Sequence, residues 1–200
     1  MAERSRPFRA FSLGLVSGVV AGAVAGAVAG AGAMLVAFPY LFPPPAASDA
    51  PPELGAAAPA AGATPGSGTD PGRDGAPPAG TSLPFRFDVG APGRDAIHWA
   101  DGTGRIVRTA QGWVLRLEAD FRAGPGPNYW IYANTRPVGD ERDFEADAGR
   151  RKLFALRAFQ GAQNYPLPAD LDPARVHTVT IWCETFGAYI GSGVLGRPPS

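Results

Sequence analysis

The sequence predicts an all-β domain over residues 83–198, an antiparallel β-sandwich or barrel-like fold, preceded by one transmembrane helix and a disordered linker. Three observations carry this. Residues 10–48 hold no charged residue and are rich in Ala, Gly and Val. From Pro43 to Ser82 no aromatic occurs, and Pro, Ala, Gly, Ser and Thr dominate. From Phe85 aromatics return, and short apolar runs alternate with turn residues roughly every 8–12 positions, the rhythm of a sandwich or barrel.

Residues 1–9 form a basic terminus with Arg4, Arg6 and Arg9, expected on the cytoplasmic side. Residues 10–42 read as a signal anchor, because about 20 apolar residues cross a bilayer. A cleaved signal peptide is the alternative, with Ser48-Asp49-Ala50 as a weak cleavage site. Its apolar region usually runs only about 7–15 residues. No cysteine lies at the end of the span, which argues against a lipoprotein anchor. The expected location is the cell membrane, single-pass, with the C-terminal domain extracytoplasmic. Within the span Gly14, Gly18, Gly22, Gly26 and Gly30 recur at every fourth position and share one helix face. Such a bare groove suits helix–helix self-association.

Residues 43–82 read as a tether. Such a composition cannot bury enough apolar surface to offset the entropy lost on ordering.

In the domain, Ala96 to Trp99 leads into Asp101-Gly102-Thr103-Gly104, a Gly-rich hairpin turn, and Arg105 to Thr109 is the return strand. Gln111-Gly112 turns again. Trp113, Leu115 and Leu117 then alternate with Val114, Arg116 and Glu118, a half-buried strand. Gly124-Pro125-Gly126-Pro127 breaks the chain before an aromatic strand from Asn128 to Asn134. Residues 137–150 read as a solvated polar loop, since its acidic residues lack the order and Gly turn of a calcium loop. Leu153 to Phe159 is a short strand, 161–168 a turn-rich connection, and 171–176 a loop or single helical turn. The last pair is Thr178 to Phe186 and Ala188 to Leu195.

Composition excludes several function classes. Formal net charge is zero, so no global field favours nucleic acid. One cysteine, Cys183, excludes an internal disulfide and any multi-cysteine metal site. Phosphate-binding, zinc-protease, nucleophile-elbow and covalent-haem motifs are all missing. A hydrolase has no residue set behind it.

Cys183 is therefore the candidate for chemistry. It shares a strand face with Val179 and Ile181, while Trp182 and Glu184 share the other. On that pattern it is a buried thiol with a raised pKa. The functional alternative is a redox or ligating thiol. His177 lies six residues earlier, about 20 Å along one strand, too far to share an ion. Methionine occurs only at Met1 and Met34, outside the domain. His98 is the one histidine able to approach from another strand.

Taken together, His98 with Gly102 and Gly104, Leu115-Arg116-Leu117-Glu118 with Phe121, Gly124-Pro125, the Asn128 to Tyr132 strand, Gln163-Asn164-Tyr165 with Pro168, and Val179 to Cys183 with Phe186 resemble the DM-13 domain. The resemblance covers about Phe85 to Leu195. It implies an extracytoplasmic all-β domain proposed for electron transfer, with Cys183 as a bare redox thiol or as a ligand to a prosthetic group such as haem. His98 and Trp182 are the candidates to help hold such a group; no metal ligand set is expected, and the redox partner is unspecified. Asn128 departs from the acidic residue typical of the family after Gly-Pro. The competing reading is a non-catalytic binding or adhesion domain in which Cys183 only fills the core.

Overall fold

The structure is a computed structural model and describes residues 7–54, 77–88, 95 and 97–196; side chains at 7–19 and 36 lie outside the described set. Arg4, Arg6 and linker residues 55–76 lie outside it too. The chain divides into two units, Met1–Phe42 and Pro43–Ser200.

The first unit is one helix, α1 (Pro7–Leu41), with Pro39 in its last turn. Alanine is the best intrinsic helix former, which suits a helix of this composition. The transmembrane helix expected over 10–42 is not supported: among the described residues no helix is long and apolar enough to cross a membrane. From Val20 onward α1 is mostly Ala and Gly, which offer little apolar surface each. At Gly22, Gly26 and Gly30 an added Cβ would meet nothing within 4 Å, so that side of the helix is bare.

The second unit is built of strands. In chain order these are β1 (Ala47–Ser48), β2 (Ser82–Phe87), β3 (Ala100–Arg108), β4 (Trp113–Leu117), β5 (Arg122–Ala123) and β6 (Tyr129–Asn134). A short helix α2 (Glu141–Ala146) follows, then β7 (Arg151–Ala155), β8 (Gly161–Pro166), a 3₁₀ turn at Pro173–Arg175, β9 (Thr178–Cys183) and β10 (Ala188–Val194). One sheet runs β1-β8-β4-β3-β2, with β5 also on β3; the other runs β10-β9-β6-β7. Both are open paths, so of the two expected architectures the closed barrel is excluded. Every pairing is antiparallel except that of β1 with β8.

The two sheets share one apolar core. Phe85, Phe87, Ile106, Leu115 and Leu117 come from the first sheet, and Ile131, Val179, Ile181 and Ile190 from the second. The second sheet is covered on its other face as well, where Tyr132, Val138, Phe144, Trp182 and Tyr189 form a separate cluster. All six residues of β9 are therefore buried. This explains why β9 carries large apolar side chains on both faces, Ile181 on one and Trp182 on the other.

Four expectations are corrected. The Asp101 to Gly104 stretch is not a hairpin turn but the body of β3. Its glycines serve close approach: at Gly102 (φ +104°) an added Cβ would lie 2.6 Å from the Asp120 carbonyl, and at Gly104 it would run into the Phe85 ring. The 161–168 connection contains a full strand, β8. Its polar residues are used internally, because Gln163 is fully buried and its amide exchanges hydrogen bonds with the backbone of Ala158. The 137–150 loop contains α2, capped by Asp140, whose side chain accepts from the Asp143 N–H. Asp147 is buried there, accepting from Asn134 Nδ2, Thr135 and the Gly149 N–H. Lastly, the tether has a structured start. β1 joins β8, and the Asp49 carboxylate accepts from the Asn164 N–H at 2.8 Å and pairs with Arg157.

Candidate functional site

Cys183 ends β9 on the inward face and is 1% exposed. Val179 and Ile181 flank it along the strand in the same core. Its Sγ–H donates to the Pro127 carbonyl at 3.1 Å. The chain break ahead of β6 delivers that carbonyl. Asn128 takes φ +57°, a left-handed conformation that Asn tolerates better than most residues. Its backbone carbonyl accepts from the Glu184 N–H, and its side-chain oxygen from Trp130 Nε1 at 2.8 Å. Asn128 thus clasps the Gly-Pro turn onto the end of β9.

Burial is the main cause pushing the Cys183 thiol above its ordinary pKa; backbone N–H groups of Phe186 and Thr185 pull the other way. A thiol held protonated in a dry site is a poor nucleophile.

His98 is not beside it. The sequence leaves His98 as the one histidine able to reach Cys183, but the structure sets it in a polar cleft of about 630 Å³ with Asp95, Asp140, Glu141, Arg142, Glu145, Ala188 and Tyr189. Its Nδ1 lies 2.8 Å from Asp95. That contact, followed by the N–H groups of His98 and Ile97, brings the Asp95 carboxyl down to about 2. His177 stands one residue before the other end of β9, its ring 3.1 Å from Thr178 Oγ1. Trp182 points away from the core, stacked on Phe144 at 4.2 Å. Cys183 is therefore set apart from both candidates, while His98 and Trp182 have Tyr189 as a common neighbour, in the cleft of the one and the ring cluster of the other.

Other cavities lie elsewhere. One of about 620 Å³ runs between the β1 strap and β5 and β8; another of about 250 Å³ is lined by Asn134, Arg151 and Arg175 among others. Cys183 lines none of the three. Among the described residues no three His, Cys, Asp or Glu side chains are placed to hold a metal ion. A haem held by Cys183 does not fit: the residue is 1% exposed within the packed core cluster, and its sulfur is taken up by the Pro127 carbonyl.

Residues 93–195 match the family model described as Electron transfer DM13. The chain belongs to the DM13 family. The matched segment carries β3 to β10 and includes His98, Trp182 and Cys183. The folded DM13 unit is larger than the match, since β2 lies before it yet supplies Phe85 and Phe87 to the core. No curated protein and no solved structure matches the chain.

The outer face of β6 and β9 carries a further polar group that no sequence motif marks. There Tyr132 donates to Glu184, Glu184 pairs with Lys152 at 3.1 Å, and Lys152 Nζ sits 3.9 Å from the Trp130 ring centroid. Strand alternation put Trp182 and Glu184 together on that face, and this was the available signal.

Proposed function

We propose that the β unit is an electron-transfer module in which Cys183 acts as a bare redox thiol rather than as a haem ligand. The single observation behind this reading is the DM13 match, which spans both sheets and the strand that carries Cys183. A lone cysteine cannot form a disulfide within its own chain, so its chemistry is one-electron or needs a second thiol from outside. Voltammetry of the full-length protein tests this. A redox wave that disappears in Cys183→Ala supports it, and an identical wave in that variant removes Cys183 from the site.

Burial of Cys183 favours a second reading, a non-catalytic binding or adhesion domain with the cysteine as core packing. A protein without any redox wave, whose thiol reacts only on unfolding, selects that reading.

The proposed place of work is outside the cytoplasmic membrane. Support for this comes from sequence alone: Arg4, Arg6 and Arg9 precede a long uncharged run, which favours an N-in orientation. Alkaline phosphatase fused after Leu195 is active only if that placement holds. The glycine ladder supports a helical partner for α1, tested by Gly22→Leu in a crosslinking assay.

A further inference from the structure

We propose that Tyr132 is a second redox-active residue of this unit, giving up an electron from its ring as its phenolic proton passes to Glu184. This rests on the electron-transfer reading and names a site on the sheet face opposite Cys183.

The geometry is that of a fixed proton donor and acceptor. Tyr132, on β6, is 8% exposed, and its hydroxyl donates to Glu184 Oε1. The other carboxylate oxygen, Oε2, is held by Lys152 Nζ at 3.1 Å. The bond from Tyr132 first, then Lys152, keeps the Glu184 carboxyl below its ordinary pKa, so the acceptor is ionised at neutral pH. Burial first, and the facing carboxylate second, push the Tyr132 phenol well above its ordinary pKa. The phenol therefore does not ionise ahead of oxidation. Loss of the electron from its ring is eased by the proton moving with it, and Glu184 Oε1 is in place to take that proton.

The surroundings give the electron a route. The Phe144 ring meets Tyr132 edge-on at 5.0 Å and stacks on Trp182 at 4.2 Å. Trp182 pairs in register with Trp130 on β6 and with Tyr189 on β10. Trp130 is half-buried and reaches the surface beneath Lys152. A row of oxidisable rings thus crosses three strands next to a tyrosine whose hydroxyl donates to a carboxylate. Packing alone would need the rings but not an ionised carboxylate anchored on one side by Lys152 and facing the hydroxyl on the other.

The step balances. A one-electron oxidant, such as a ferric or cupric centre on a partner, takes one electron. The Tyr132 O–H bond breaks and an O–H bond forms on Glu184 Oε1. The products are a neutral tyrosyl radical, a glutamic acid and the reduced partner. A one-electron donor reverses each change.

The test uses the full chain in a Tyr40→Phe background, because Tyr40 is 45% exposed and would react on its own account. Flash-generated ruthenium(III) tris-bipyridine supplies the hole, and freeze-trapped samples are read by electron paramagnetic resonance. A tyrosyl signal is expected that narrows on ring deuteration, is lost in Tyr132→Phe and persists in Tyr189→Phe. Glu184→Gln, which keeps the shape but removes the base, is expected to lower the yield and make it depend on added buffer base. A signal undiminished in folded Tyr132→Phe, or none in the parent, overturns the proposal, as does a yield untouched by Glu184→Gln. The ruthenium oxidant replaces the natural acceptor and bypasses Cys183. A tyrosyl signal beside an unchanged voltammetric wave in Cys183→Ala therefore defeats only the cysteine reading.

Discussion

The thiol of Cys183 is tied to the carbonyl of Pro127, 3.1 Å away and 56 residues earlier in the chain. This contact closes the Gly-Pro turn over the end of β9 and leaves the sulfur without an approach for solvent. Native protein is therefore expected to resist thiol reagents, with labelling rising in step with loss of circular dichroism as urea is added. Labelling at the rate of a free thiol under native conditions contradicts it. Cys183→Ala removes both the packed sulfur and its hydrogen bond, and a loss of about 1–2 kcal/mol is expected from urea midpoints.

Asp147 is the acid-sensitive point of the second sheet. It is 2% exposed and accepts from Asn134, Thr135 and Gly149. Burial alone would raise its pKa, but the bonds from Thr135, Asn134 and Gly149 together outweigh burial and hold it below the ordinary 3.8. A carboxyl whose folded pKa is depressed adds stability above its unfolded pKa and loses it as pH falls through the folded value. Stability that Asp147 contributes is thus expected to be complete at neutral pH and to fade below about pH 4. Asp147→Asn should cost about 1–3 kcal/mol at pH 7 and flatten the acid limb of the stability curve. An unchanged acid limb assigns that limb to other carboxylates.

The strap at β1 should be separable from the rest. Asp49 gathers the Asn164 N–H and Arg157, and the Asn164 bond first of all keeps its carboxyl below the ordinary value. Only two residues pair with β8, in parallel. Asp49→Ala is expected to speed amide exchange in β8, at Ala162 and Asn164, while β9 remains protected. Acidification through the depressed pKa of Asp49 should loosen the same amides in the parent protein. Uniform exchange across both strands would show that the strap and the core open together.

The parts of this fold legible from sequence were those with a two-residue period and a clear turn. β4 shows both, β6 was marked by its aromatics after a Gly-Pro break, and the side of β9 that carries Cys183 followed from strand alternation of its positions. Glycine was the main source of error. Gly102 and Gly104 carry the signature of a turn, but their function is to admit the Phe121 backbone and the Phe85 ring, which lie far off in sequence. β8 was illegible because Gln163 and Asn164 look like loop residues; their partners, Ala158 and the strap, exist only in the fold. The candidate site was legible as a list and not as an arrangement. Cys183 and Trp182 belong to different surroundings because β9 is buried on both faces, and His98 stands in a polar cleft that neither of them lines. The cover on its outer face comes from α2, within a stretch that reads as polar.

Gly102→Ala tests that account of the glycines. The substitution meets a left-handed φ of +104° and the Asp120 carbonyl at 2.6 Å at once. A cost of about 2–4 kcal/mol is expected in urea unfolding. At Gly112, φ is +146° but an added Cβ would meet nothing within 4 Å, so Gly112→Ala should cost clearly less, about 1 kcal/mol. Equal costs would mean that backbone conformation, and not the approach of β3 to residues 120 and 121, decides the glycine at 102.

Thr180 offers a test of opposite sign. It is fully buried on the outer face of β9, and among the described residues its hydroxyl has no hydrogen-bond partner. An unpartnered buried hydroxyl carries its desolvation cost without return, so replacing it by a methyl of the same shape removes a penalty. Thr180→Val is expected to raise stability by about 1 kcal/mol, read as a higher urea midpoint at unchanged slope. Asn134 Oδ1, also buried and unpartnered, stands on the facing strand two positions out of register with Thr180. A lower midpoint in Thr180→Val would show that the hydroxyl is bonded in solution, through an ordered water reaching towards Asn134. In that case Asn134→Ala and Thr180→Val should couple in a double-mutant cycle instead of adding.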